Sequence, residues 1–150
     1  MKDNELLGKC IEFMVTAHTG QFDRGGMPYC LHPLKVMHYL KTDDVELKCI
    51  AVLHDTIEDS EFSFSDLYNL GCNDNIVNAV MCLTKYKGQT YDEYKQAVCS
   101  NVRAMRVKLC DLRHNSDIRR LKGLRQKDID RLAKYNQFYT EILENLYCDD

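Results

Sequence analysis

Apolar residues recur at the spacing of an amphipathic helix over most of the chain. In the first segment they include Cys10 and Met14, and the pattern predicts a helix of about four turns that ends near Thr19. Both prolines, Pro28 and Pro33, lie in the first quarter of the sequence. Because no later proline interrupts a helix, the chain is predicted to be almost wholly helical.

Turn and capping residues divide the chain into further predicted helices. Residues 20–30 contain three glycines and a proline and are predicted to form a loop. Pro33 fits the first turn of the helix that follows. Later helices are predicted at about 44–57, 64–70, 74–84, 91–112 and 129–146, with more than one helix in 91–112. These elements predict an all-α fold, with residues 1–150 in one compact domain.

Composition and charge narrow the class of protein. The chain has 150 residues, of which 45% are hydrophobic and 29% charged, as in soluble globular proteins. Its formal net charge is −3 and no run of five like charges occurs, so no surface for duplex DNA is expected. No apolar run is long enough to cross a membrane, and the first residues do not resemble a secretory signal. A cytoplasmic protein is therefore expected.

The eight cysteines are distributed along the chain without a C-x-x-C pair. A chain of this size does not need disulfides to be stable. They are expected to be reduced and mostly buried, because free cysteine packs as a small apolar residue.

Candidate metal ligands lie in three separate predicted elements. They are His32, the adjacent pair His54 and Asp55, and Asp111. Two imidazoles and two carboxylates are enough to hold a divalent ion and leave room for water or a substrate oxygen. The pair at 54 and 55 directly follows the apolar residues 49–53, where unpaired charge is costly, and a cation is the simplest compensation.

Five blocks of sequence carry most of the polar residues that suggest chemistry. They are residues 17–21, 26–33, 53–59, 83–85 and 107–115, with the sequences AHTGQ, GMPYCLHP, LHDTIED, LTK and VKLCDLRHN. In this order and spacing, over residues 5–140, they resemble the hydrolase domain of RelA/SpoT-type proteins. The likeness is greatest to the stand-alone small alarmone hydrolases of that family.

The resemblance implies a helical fold of the HD superfamily and one bound divalent ion, commonly manganese. It also implies removal of the 3′-pyrophosphate from guanosine tetra- or pentaphosphate, (p)ppGpp, the alarmone of the stringent response. Glu58 and Asp59 match the family's acidic pair, which is thought to position and activate the attacking water. The residues that match the family's metal ligands are His32, His54, Asp55 and Asp111.

Four further residues are expected to bind the substrate. Arg24 and Lys85 are candidates for the phosphate groups, which need fixed positive charge. Asn115 lies one helical turn after Asp111 and is expected to bind the ribose or orient the site. Tyr135 matches a family tyrosine that packs on the nucleoside, although its place in the apolar stripe of the last helix fits core packing almost as well.

The loop before Pro28 departs from the family pattern. An ungapped match places Asp23 where the family has a base-contacting arginine, and a shift of one residue places Arg24 there instead. Guanine selectivity is therefore open, because a carboxylate prefers amino donors to the acceptors of guanine. Adenosine alarmones and a 3′-pyrophosphorylated tRNA end are alternative substrates.

The leading hypothesis is a metal-dependent nucleotide 3′-pyrophosphohydrolase acting on a small molecule. One alternative is another HD phosphohydrolase, a nucleoside monophosphatase or a cyclic-nucleotide phosphodiesterase, which would require neither the acidic pair nor Lys85. Another is a regulatory module that binds an alarmone without turnover, which would be expected to lack a ligand or the acidic pair. No synthetase domain is expected after the last helix. The oligomeric state and biological role stay open.

Overall fold

The computed structural model describes residues 2–58 and 60–147. Within them the chain forms eight α-helices and one 3₁₀ turn, and the all-α prediction is confirmed. The helices are α1 (Asp3–Ala17), α2 (Leu31–Tyr39), α3 (Val45–Leu53), α4 (Phe64–Leu70), α5 (Asp74–Leu83), α6 (Tyr91–Cys99), α7 (Val102–Asn115) and α8 (Gln126–Tyr147), with the 3₁₀ turn Ile118–Arg120 before α8.

Helix α3 lies at the centre of the fold. Every residue from 49 to 53 is buried, so this helix is apolar on all sides, as expected of a helix surrounded by others. It packs against α1, α2, α5 and α7. Helix α7 is the second central element, because it contacts α2, α3, α5, α6 and α8. The polar site described below lies where α2, the end of α3 and α7 meet.

The predicted helix 44–57 is too long at its C-terminal end. Helix α3 ends at Leu53, and residues 54–58 form turns. The backbone N–H of Thr56 donates to the carbonyl oxygen of Leu53 at 3.0 Å, and its hydroxyl donates to the same oxygen at 2.8 Å. This tight turn satisfies the carbonyl that a longer helix would have used. It places His54 and Asp55 directly after the buried helix.

Polar residues begin the helices where the sequence predicts them. Asp44 accepts a hydrogen bond from the backbone N–H of Leu47, and Asn73 does the same at the start of α5. The stretch 91–112 holds two helices, because the Asn101 side chain accepts from the backbone N–H of Ala104 and starts α7. The last helix begins three residues earlier than predicted, at Gln126.

The loop before α2 is ordered by its own backbone. The N–H of Asp23 donates to the carbonyl of Met27, and the N–H of Tyr29 donates to that of Gln21, each at 2.9 Å. The loop packs closely on the 3₁₀ turn, since a Cβ at Gly25 would lie 2.1 Å from the carbonyl oxygen of Arg120. Only glycine fits this close approach.

Seven of the eight cysteines fall within the described residues, and all seven are free thiols. Cys10, Cys49 and Cys72 are buried, and the other four are half-buried. The eighth, Cys148, lies outside the described residues. Among the described helices, none combines the length and the apolar character required to cross a membrane.

Candidate metal centre

Three elements bring the four predicted metal ligands together. His32 lies in the first turn of α2, His54 and Asp55 directly follow α3, and Asp111 lies in the last part of α7. Each offers one nitrogen or oxygen ligand atom, and these four atoms all lie within 4.8 Å of one another. The predicted convergence of these side chains is confirmed. We call this group of four the metal centre.

Three of the four side chains of the metal centre are buried. The Nε2 atoms of His32 and His54 lie 2.8 Å and 3.3 Å from Oδ1 of Asp111. Oδ2 of Asp55 lies 3.1 Å from His54 Nε2 and 3.8 Å from His32 Nε2. The two histidines and Asp111 are at most 3% exposed, whereas the Asp55 side chain is 24% exposed. Access from solvent is therefore on the side of Asp55.

Hydrogen bonds to the far nitrogens orient both imidazoles. The Nδ1–H of His54 donates to the carbonyl oxygen of Ala51 at 2.6 Å, which leaves Nε2 facing the carboxylates. His32 Nδ1 lies 2.7 Å from Nδ1 of His114. Burial, together with the charge of Arg120, lowers the pKa of His114 to about 4, so its neutral ring can accept a hydrogen bond from the Nδ1–H of His32. Such partners are typical of histidines that bind a metal through Nε2.

Polar partners also fix Asp111. Its Oδ2 accepts from Nζ of Lys108 at 2.8 Å, and its Oδ1 accepts from the amide nitrogen of Asn115 at 3.0 Å. Burial disfavours the charged carboxylate, but Lys108 and then His54 hold the pKa of Asp111 well below its usual range. Asp111 is therefore ionised at neutral pH, as a ligand must be.

Tyr29 fixes the side chain of Asp55 in a similar way. Its hydroxyl donates to Oδ2 of Asp55 at 2.7 Å. Burial raises the pKa of Tyr29, and the nearby carboxylate raises it further, so the phenol keeps its proton. The sequence alone predicts no role for Tyr29 or Lys108. The spacing of three residues between Lys108 and Asp111 on one helix was an available signal, whereas the contact of Tyr29 with Asp55 spans 26 residues.

Glu58 lines a cavity on the open side of the metal centre. This Glu58 cavity has a volume of about 410 Å³. Oε1 of Glu58 accepts a hydrogen bond from the backbone N–H of Lys85 at 2.6 Å. Asp59, the other predicted catalytic residue, lies outside the described residues. The lining residues of the Glu58 cavity are His18, Gln21, Phe22, Tyr29, Asp55 and Glu58.

A second cavity adjoins the first, and Phe22 and Tyr29 line both. Its volume of about 350 Å³ is in the range of small-molecule sites. Of the four predicted substrate-binding residues, three line this Tyr135 cavity, while the exposed Lys85 lines neither cavity. The Tyr135 cavity is lined by Phe22, Asp23, Arg24, Tyr29, Asn115, Asp117, Arg120, Leu121, Asp128, Arg131, Leu132 and Tyr135.

The two remaining histidines, His18 and His38, lie outside the metal centre. His18 is buried, and its Nδ1 lies 2.8 Å from the amide oxygen of Gln21, which belongs to the loop before α2. His38 is an exposed residue of α2. Within the part of the chain that the structure describes, the four side chains of the metal centre are the one group found with metal-ligand spacing.

The donor set fits a divalent ion. Two imidazoles with oriented Nε2 atoms and two ionised carboxylates supply mixed nitrogen and oxygen ligands of the kind that such ions prefer. An adjacent histidine and aspartate at the end of a buried helix meet an aspartate from a later helix, which is the ligand arrangement that the sequence resemblance leads us to expect.

Comparisons with known proteins specify the family. No family model matches the chain. The guanosine-3′,5′-bis(diphosphate) 3′-pyrophosphohydrolase of Haemophilus influenzae is 33% identical to it over 144 residues, which cover 88% of this chain and 20% of that protein. The bifunctional (p)ppGpp synthase/hydrolase SpoT of Escherichia coli K12 is 31% identical over 87% of this chain. The chain spans about a fifth of the length of these curated relatives.

A solved structure has the same fold. It is that of a metazoan ortholog of SpoT described as hydrolysing ppGpp and acting in starvation responses. The TM-score is 0.76 at 23% identity, and the match covers 92% of this chain and 85% of the other. Over most of its length the chain is thus similar to SpoT-type (p)ppGpp hydrolases, and it has the fold of a SpoT ortholog.

Proposed function

We propose that the chain is a metal-dependent nucleotide 3′-pyrophosphohydrolase that converts (p)ppGpp to GDP or GTP and pyrophosphate. The observation that carries this proposal is the convergence of two imidazoles and two carboxylates beside a cavity that Glu58 also lines. The similarity to (p)ppGpp hydrolases over most of the chain supports it.

In this proposal the metal centre holds one divalent ion, and the ion is manganese. The carboxylates favour manganese over softer transition metals, while the imidazoles distinguish the set from all-oxygen magnesium sites. When bound, such an ion polarises a phosphoryl oxygen and lowers the pKa of water. The four ligands are His32, His54, Asp55 and Asp111.

The surrounding side chains keep the two carboxylates in place. Tyr29 holds Asp55, while Lys108 and Asn115 hold the two oxygens of Asp111. Groups that are already oriented need no rearrangement during the reaction, which is the main source of electrostatic catalysis. We therefore assign Tyr29, Lys108 and Asn115 as residues that position the ligands.

Glu58 acts as the general base. The oxygen of the attacking water forms a bond to the phosphorus attached to ribose O3′, and Glu58 takes the proton that the water loses. The bond between that phosphorus and O3′ breaks, O3′ gains a proton, and pyrophosphate leaves. The backbone N–H of Lys85 holds Glu58 in place at 2.6 Å. Asp59 is proposed as its partner, as the acidic pair in the sequence predicts.

The nucleotide part of the substrate occupies the Tyr135 cavity. Arg24 binds phosphate, Tyr135 packs on the nucleoside and Asn115 contacts the ribose. Lys85 binds the phosphate leaving group if its exposed side chain swings towards the Glu58 cavity. Adenosine alarmones and a 3′-pyrophosphorylated tRNA end are the alternative substrates. A cytoplasmic location accords with the seven free thiols, since cytosolic proteins keep cysteines reduced.

Product analysis tests this function. The purified chain with Mn²⁺ is incubated separately with ppGpp, its adenosine counterpart ppApp, 3′-pyrophosphorylated tRNA, AMP and a cyclic nucleotide. We expect ppGpp to give GDP and pyrophosphate in equal amounts. Release of single phosphate from AMP, or opening of the cyclic nucleotide without cleavage of ppGpp, would identify another HD phosphohydrolase. Binding of ppGpp without any product would identify a regulatory module.

A further inference from the structure

Arg120 enters the Tyr135 cavity from the 3₁₀ turn, and its guanidinium is held at three points. Nη1 donates to the carbonyl oxygen of His114 at 3.0 Å and to Oδ1 of Asn115 at 3.1 Å. Nη2 donates to Oδ2 of Asp23 at 3.3 Å. The side chain is only 20% exposed. A guanidinium fixed in this way loses little freedom when it binds a ligand.

Asp23 is fixed as well. Its Oδ1 accepts from the backbone N–H of Met27 at 2.9 Å, and its side chain is 13% exposed. Burial disfavours the charged form, but the hydrogen bonds from Met27 and Arg120 hold the pKa of Asp23 below its usual value. Oδ1 accepts from Met27 and Oδ2 accepts from Arg120, and the backbone N–H of Gly25 also stabilises the ionised carboxylate. The two oxygens of a carboxylate can together accept about four hydrogen bonds, so acceptor capacity remains.

Arg120 keeps donors that these contacts do not use. A guanidinium has five N–H groups, and the three hydrogen bonds to described residues use three of them. Its Nε–H and one Nη2–H are not used within the described part of the chain. Asp23 and Arg120 therefore present a carboxylate acceptor beside two unused donors on the wall of one cavity.

The charges of Asp23 and Arg120 determine whether the two residues bind the phosphate or the base of a nucleotide. The carboxylate of Asp23 compensates the charge of Arg120, so a phosphate would meet a neutral pair and would be repelled by one half of it. A base edge that carries both donors and acceptors has no such conflict. Guanine offers two donors, N1–H and the 2-amino group, next to the acceptor O6. Adenine offers one amino group next to one acceptor and so makes fewer hydrogen bonds.

We propose that Asp23 and Arg120 form a base-recognition pair in which the carboxylate accepts from N1–H and the 2-amino group of guanine and the guanidinium donates to O6. The pair selects guanine over adenine. This inference extends the proposed function, because it assigns the base selectivity of the same site. In the ungapped sequence match, Asp23 takes the place of the family's base-contacting arginine, so a hydrogen-bond donor to guanine is missing there. In this proposal the guanidinium of Arg120 is that donor.

Calorimetric binding of nucleotide products tests the pair without turnover. The Mn²⁺-loaded chain is titrated with GDP, ADP, inosine diphosphate and pyrophosphate. We expect GDP to bind about tenfold more tightly than ADP, the usual worth of one further hydrogen bond to a charged group. Inosine diphosphate, which lacks the 2-amino group and so makes one hydrogen bond fewer than GDP, should bind more weakly than GDP. Equal affinity for GDP and ADP would overturn the proposal.

Two variants and one control separate recognition from structure. Asp23→Asn and Arg120→Met should each reduce the GDP preference to about threefold or less and leave pyrophosphate affinity within about twofold. Arg119→Ala changes the neighbouring arginine, which is 86% exposed and pairs with Asp117, and should keep the preference. Asp23→Asn preserves shape and loses only the charge of the pair, so its thermal midpoint should fall by a few degrees at most.

Specific outcomes would contradict the pair. Unchanged GDP preference in both variants would exclude a role in base recognition. An equal loss of affinity for nucleotides and pyrophosphate would show that the two residues only support the loop. A GDP preference that depends on the pair, in a chain that does not cleave ppGpp, would refute the proposed hydrolysis and leave the base-recognition pair standing.

Discussion

The metal centre and the Tyr135 cavity lie side by side but are built from different parts of the fold. Three side chains of the metal centre are at most 3% exposed and come from central helices or their ends. The Tyr135 cavity is lined mainly by the loop before α2, the 3₁₀ turn and the first half of α8, with Asn115 at the end of α7. Loops tolerate change better than packed helices. We infer that the core of this domain fixes the chemistry and that its loops set the substrate.

Loss of Asp111 should have the largest effect. Asp111→Ala removes a metal ligand and leaves the amino group of Lys108 buried beside no carboxylate. We expect turnover to fall by at least about a thousandfold, with loss of bound metal and of roughly 3 kcal/mol of stability. Metal analysis, assays and denaturant unfolding measure the three effects. Asp117→Ala, in the wall of the Tyr135 cavity, should keep its metal. Full metal occupancy in Asp111→Ala would show that Asp111 is not a metal ligand.

Loss of the general base should slow the reaction without releasing the ion. Glu58→Gln keeps the shape of the side chain but cannot accept the proton, so we expect kcat to fall by about a hundredfold to ten-thousandfold. Asp59→Asn is expected to behave in the same way. Glu61→Gln, an exposed carboxylate three residues along, is the control. If Glu58→Gln loses its metal, the residue is a ligand and not the base.

Loss of the hydrogen bond that positions Asp55 should weaken metal binding less than loss of a ligand does. Tyr29→Phe deletes the hydroxyl that donates to Asp55 at 2.7 Å. Outer partners of metal ligands are worth about tenfold to a hundredfold in metal affinity or activity, and we expect a loss in that range. Competition with a chelator measures the affinity. Tyr86→Phe, on an exposed tyrosine, should change nothing. An unchanged affinity in Tyr29→Phe would show that Asp55 needs no support.

Substitutions in the Tyr135 cavity should change substrate binding more than the rate of the chemical step. Arg24→Ala removes an exposed positive charge from the wall of the Tyr135 cavity. We expect KM to rise by about fivefold for every 3′-pyrophosphate substrate, with kcat nearly unchanged, because the lost contact is exposed to solvent. Lys122→Ala, another exposed cation, is the control. A fall in kcat with constant KM would show that Arg24 takes part in the chemical step. It would contradict the distinction between a metal centre that carries the chemistry and a Tyr135 cavity that binds the substrate.

The sequence predicted the metal centre better than the cavity. The apolar run 49–53 followed by His54 and Asp55 marks the end of a buried helix, and local patterning is enough to see it. The contacts of Tyr29 with Asp55 and of Arg120 with Asp23 span 26 and 97 residues. Long-range pairs of this kind leave no periodic signal, so neither was predicted. The predicted end of α3 is four residues too late. The turn that ends the helix depends on the hydrogen bond from the Thr56 hydroxyl to the carbonyl oxygen of Leu53, and a single threonine is not a strong sequence signal for a helix end.

Metal titration of the stripped chain tests the central claim most directly. The chain is treated with a chelator, dialysed and assayed for release of pyrophosphate from ppGpp while Mn²⁺ is added in known amounts. We expect no turnover without metal and a rise in activity that reaches a plateau at one ion per chain. Full activity of the stripped chain, or a plateau only at two ions per chain, would contradict a single ion held by His32, His54, Asp55 and Asp111.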